Sequence, residues 1–187
     1  HHEDFTGQYG KFFASFHTLL SLLALVLVPP GTASLFIAGV ICLWAIVQTY
    51  RDRWDLHLLL TITGFFAYHL FWILTLREGG FDRLIRFQGG GVIVVVFAAA
   101  ALVHYRKSYE SRTFEVFPFL VHLLNWLYFA AGMVVYIGDN RLRIIPLALG
   151  ALAAAVLAWR AGQAGIRWLK TTDTMIFQVL AVVTILA

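Results

Sequence analysis

The chain has 187 residues, of which 60% are hydrophobic and 13% charged, whereas a soluble domain of this size carries about 25% charged residues. That shortfall excludes a protein whose whole surface faces water. The net charge of +4 resides in short segments beside apolar runs, which reads as membrane topology or lipid-headgroup contact and not as a nucleic-acid footprint. The single Cys42 excludes an intrachain disulfide framework.

In chain order, uncharged runs cover 12–50, 56–76, 87–105, 116–138, 144–159 and 174–187. A bilayer core about 30 Å thick needs roughly 20 helical residues. The first run is long enough for two helices folded at Pro29-Pro30-Gly31-Thr32, giving six spans and the start of a seventh. Charges fall between the runs rather than once per turn along them, which sets aside a string of amphipathic soluble helices. Apolar runs continue to the end of the chain, so a secretory signal peptide is set aside as well. Within 77–87, Phe81, Leu84 and Ile85 alternate with charges, as in a small interfacial element or a polar loop. Thr171-Thr172-Asp173 supplies N-capping oxygens to the last run. That run holds 14 uncharged residues, too few to span, and no initiating methionine is present, so the chain reads as a segment of a longer polypeptide.

The expected fold is therefore an all-α polytopic transmembrane helical bundle of about seven spans, a single transmembrane domain over 1–187. Its tandem antiparallel hairpins lie at about 12–50, 56–105 and 116–159, with a further span starting at 174–187. A repeat marks the hairpins. Tyr50-Arg51, Tyr105-Arg106 and Trp159-Arg160 close successive apolar runs about 55 residues apart. New runs open near His57-Leu58-Leu59, His122-Leu123-Leu124 and Gln178-Val179-Leu180, with an earlier relative at His17-Thr18-Leu19. The aromatic-arginine corners share one side of the membrane, and that side carries nine of the 14 basic residues. The positive-inside rule then puts the N-terminal side in the cytoplasm. Gly89-Gly90-Gly91, the alanines at 98–101, and Gly150 with Ala154 mark places where helices can approach closely. Most tryptophans lie near run ends, in the headgroup zone; Trp126 is placed near mid-membrane.

Polar groups inside lipid are the candidate sites. His69 and Asn125 both lie near the centres of their runs and could bond to each other across two helices. With Ser21 and Tyr128 they would line a polar pathway if the four share a cavity. The competing reading is an interhelical hydrogen bond that fixes helix pairing. His17, His57, His104 and His122 fall within about two turns of the cytoplasmic side, and four imidazoles are a known way to hold haem iron, zinc, copper or a pigment magnesium. His17, His57 and His122 occupy repeat-equivalent places, which accounts for their shared depth without a metal; the fourth equivalent is Gln178, and no carboxylate lies nearby with ligand spacing. No cofactor is predicted from a motif. Ser15, Ser21 and Ser34 lack a nucleophile-elbow context, and acidic residues stand in the tail and loops, against an intramembrane carboxylate relay. Phosphate loops, dinucleotide fingerprints and HExxH are absent from the sequence, so no catalytic residue is assigned.

The stretch from Trp44 through Tyr50-Arg51, Trp54 and His57 to Thr61, running on to Trp72, resembles a recurring unit of a large, uncharacterised family of bacterial predicted membrane proteins with many tandem hydrophobic hairpins. The cadence returns from His104-Tyr105-Arg106 through Trp126 and from Trp159-Arg160 through Gln178. The resemblance implies a longer parent with spans on both sides and brings no activity with it. Three function classes follow. The first is a structural or assembly module, in contact with lipid and with other membrane helices of the same chain or complex. The others are a transporter or channel segment and a histidine-ligated haem, metal or pigment subunit.

Overall fold

The computed structural model describes residues 2–29, 31–52, 54–77, 83–137 and 140–186. Among them the chain is all helical: α1 (His2–Val26), α2 (Thr32–Asp52), α3 (Asp55–Arg77), α4 (Arg83–Ser111), α5 (Val116–Tyr136), α6 (Asn140–Gln163) and α7 (Arg167–Leu186). Each is long and apolar enough to cross a membrane. Large apolar side chains face outward on every helix, such as Phe87 at 79% and Leu102 at 73% exposure, a surface that lipid tolerates and water does not. The chain is thus a multi-pass integral membrane protein.

The ends of the helices follow from local chemistry. Gly31 O accepts from Leu35 N–H, and Ser34 Oγ accepts from Gly31 N–H, so Ser34 closes the first turn of α2 in the manner of a capping box. Pro118 sits in the first turn of α5, where no intrahelical donor is lost. At the end of α6, Gly165 takes a positive φ of 74°, Ile166 N–H donates to Ala161 O, and Gly165 N–H donates to Gly162 O. This is a Schellman cap, and it turns the chain straight into α7.

That turn changes the reading of the last span. The helix starts at Arg167 and runs for 20 residues, so the uncharged stretch 174–187 is only part of it. Thr171, Thr172 and Asp173 lie in its second turn and are not its N-cap. Of the interfacial element considered over 77–87, Arg77 ends α3 and Arg83 begins α4; residues 78–82 lie outside the described residues.

Helices α2, α3, α5 and α4 pack in a closed ring of neighbours. Helix α1 lies against α3 and α2; α6 and α7 form a closely packed pair that joins the ring through α5. The core runs through this ring, with Leu35, Leu58, Ile62, Trp72 and Tyr136 almost wholly buried. Trp126, at the middle of α5, is buried among these side chains against Phe97 and Phe129. Glycines allow the closest approaches: a Cβ at Gly89 would stand 2.2 Å from the Tyr136 ring, and one at Gly132 would stand 2.4 Å from Ile93.

Candidate functional site

The most polar part of the interior lies where α4, α5 and α7 meet, toward the arginine-rich end. Asp173 is fully buried there, at 0% exposure. Its Oδ1 accepts a 2.6 Å hydrogen bond from the Tyr105 hydroxyl, and His122 Nε2 lies 2.8 Å from the same oxygen. The His104 ring lies over His122 with centroids 4.7 Å apart, and Ser108 Oγ is 3.4 Å from His104 Nε2. Tyr105 meets His122 edge-on at 5.1 Å, and Trp168 covers His104 from α7. Asp173 Oδ2 finds no hydrogen-bond partner among the described residues. One carboxylate oxygen therefore joins three helices.

Two expectations need correction here. Acidic residues are not confined to the tail and loops, because Asp173 lies inside a spanning helix. Nor are the histidines without a carboxylate, since His122 has Asp173. A signal for this was present in the sequence. Leu169, Thr172, Asp173, Ile176 and Leu180 recur at helical spacing and form the buried stripe of α7, but the stripe shows only once α7 is started at Arg167.

The four histidines separate. His104 and His122 come together; His57 bonds Ser15 Oγ through Nδ1 at 2.7 Å and stacks on Trp54 at 5.6 Å. His17 is exposed on α1. Among the described residues, no three His, Cys, Asp or Glu side chains are grouped to hold a metal ion. Gln178 is exposed near the middle of α7, so the residue at the depth of His122 on that helix is Asp173.

The mid-membrane candidates share a region but not the expected bond. His69 Nδ1 bonds the Tyr136 hydroxyl at 2.7 Å, while Asn125 Nδ2 donates to Phe97 O at 3.0 Å, tying α5 to α4. Tyr128 stacks on Phe66 at 4.0 Å. His69, Asn125 and Tyr128 line one cavity of about 20 Å³ with apolar neighbours, and Ser21 is half-buried on α1 outside it. Such a volume holds about one water, whereas small-molecule sites run to about 300–1,000 Å³. The three aromatic-arginine corners also differ in setting: Tyr105 is buried on Asp173, while Tyr50 and Trp159 are exposed.

Comparison with protein-family models, with curated proteins and with solved structures found no match for this chain.

Proposed function

We propose that the chain is a structural or assembly module of a larger bacterial inner-membrane protein or complex, with its arginine-rich end in the cytoplasm. One observation carries this reading: the buried polar side chains bond from helix to helix. Ser15–His57 ties α1 to α3, His69–Tyr136 ties α3 to α5, Asn125 ties α5 to α4, and Asp173 ties α7 to both α4 and α5. In lipid no hydrophobic drive selects helix partners, and each such bond contributes about 0.6–2 kcal/mol while fixing which faces meet. The cavity beside His69 is too small for a solute.

A second reading rests on Asp173. A buried ionisable group within a span is costly and marks proton or ion pathways in many membrane proteins, so a proton-handling transporter segment is the rival. Reconstituting the native chain and Asp173→Asn in proteoliposomes separates the two. The structural reading expects Asp173→Asn to lower the unfolding temperature, with no proton or solute flux in either protein. Flux in the native chain that Asp173→Asn abolishes while the fold stays intact would overturn it in favour of transport.

A further inference from the structure

At the arginine-rich end, α2 and α4 finish and α3 begins around a hollow of about 430 Å³. Three cations border it, Arg51, Arg106 and Lys107, with two carboxylates, Asp55 and Glu110. The pairing among them decides what the hollow can hold. Lys107 pairs with Asp55, which ties α4 to the start of α3. Arg106 donates its Nε–H to Glu110 at 3.0 Å, and its guanidinium lies 4.8 Å over the Tyr50 ring. A guanidinium carries several N–H donors in a rigid fork, so those not spent on Glu110 are already oriented. Arg51 is exposed and, among the described residues, forms no ion pair. Three cations against two carboxylates leave one positive charge in excess, and Arg51 carries it.

The hollow lies at the ends of spanning helices, hence at headgroup depth. Its donors suit phosphate oxygens, which arginine meets with two parallel charge-assisted N–H···O bonds, shorter and stronger than neutral ones. Basic pockets between membrane helices hold anionic groups in this way.

We propose that this hollow binds one anionic phosphate group, held by Arg51 and by the outer N–H groups of Arg106. The group has two sources, a lipid headgroup of that leaflet or a soluble phosphate, and both present the same oxygens. A competing role for Arg51 needs no ligand. It stands in the last turn of α2, where a cation favours the carbonyls at the helix end.

The test has two arms, both on the full chain. In detergent, unfolding temperatures are compared in inorganic phosphate and in chloride at equal ionic strength. In nanodiscs of phosphatidylcholine and phosphatidylglycerol, the lipids retained after extraction are counted by native mass spectrometry. The expected result is selectivity for phosphate over chloride, which identifies a soluble source, or for phosphatidylglycerol over phosphatidylcholine, which identifies a headgroup. Arg51→Gln should lower the selective affinity about fivefold, the effect of one basic residue toward an anionic group. Glu110→Gln removes an opposing charge and should raise it, a gain that misfolding does not produce. Selectivity in neither arm overturns the proposal. So does an Arg51→Gln variant that unfolds earlier without added phosphate yet keeps the native selectivity, because Arg51 then serves only the end of α2.

Discussion

Asp173 shows what a single residue does in this interior. Its Oδ1 is the acceptor for both Tyr105 and His122, so removing it strands two buried groups at once. Each stranded donor costs about 1–3 kcal/mol. Asp173→Ala should therefore destabilise the chain by about 2 kcal/mol or more, and Asp173→Asn, which keeps an acceptor oxygen at that place, by clearly less. Unfolding in detergent, followed by circular dichroism, measures both; equal losses would mean that the shared oxygen is not what joins α4, α5 and α7. The sequence made His122 and His69 visible as polar residues at a given depth, because depth follows from position within an apolar run. It did not give their partners. His69 bonds Tyr136 and not Asn125 because pairing depends on which side of each helix faces its neighbour, and that angle is set by packing far from either residue.

At the scale of a helix, glycines two positions apart have opposite roles. Gly89 is buried against the Tyr136 ring, whereas Gly91 is exposed and its absent Cβ would meet open space. Gly89→Ala should push Tyr136 away, break its bond to His69 and cost about 1–3 kcal/mol, the usual penalty of overpacking. Gly91→Ala should be neutral or stabilising by up to about 1 kcal/mol, the helix preference of alanine over glycine. The two variants compared in the same detergent unfolding assay decide the matter, and a cost at Gly91 matching that at Gly89 would contradict the α4–α5 contact described here. The glycine run was legible as a place of close approach, although nothing in three consecutive glycines says which one carries the contact. Helix α7 was misread for a related reason. Gly165 at φ 74° ends α6 and lets a new helix begin at once, so Arg167 and Lys170 fall inside α7 rather than before it. Lys170 lays its alkyl stem near Gly162 of α6, 3.3 Å from where a Cβ would stand, and long basic side chains near a membrane surface do this without ending the helix. A reading that breaks helices at charges misses such a start by a full turn or more.

For the whole molecule, hydrophobic length and charge bias were enough to read an all-helical membrane bundle, since both are summed along the chain and survive local errors. The arrangement of α2, α3, α5 and α4 as a ring, with α1 on one flank and the α6–α7 pair on the other, was beyond reach, because seven apolar helices of similar length can be ordered many ways in lipid. What the sequence does propose at this scale is a direction. The exposed segment joining α4 to α5, with Arg106, Lys107 and Arg112 nearby, should face the cytoplasm, and Val28, between α1 and α2, should face the opposite side. Cys42 is fully buried, so the native chain should remain silent toward a membrane-impermeant maleimide, and introduced cysteines can be read against no background. On the proposed orientation, Val28→Cys should then label from outside sealed cells or vesicles, and Thr113→Cys only after the membrane is opened. The reverse pattern would invert the bundle while leaving its packing untouched. Labelling of both positions from one side would be graver, because Val28 and Thr113 are separated by α2, α3 and α4, an odd number of crossings, and could share a side only if one of those helices did not span.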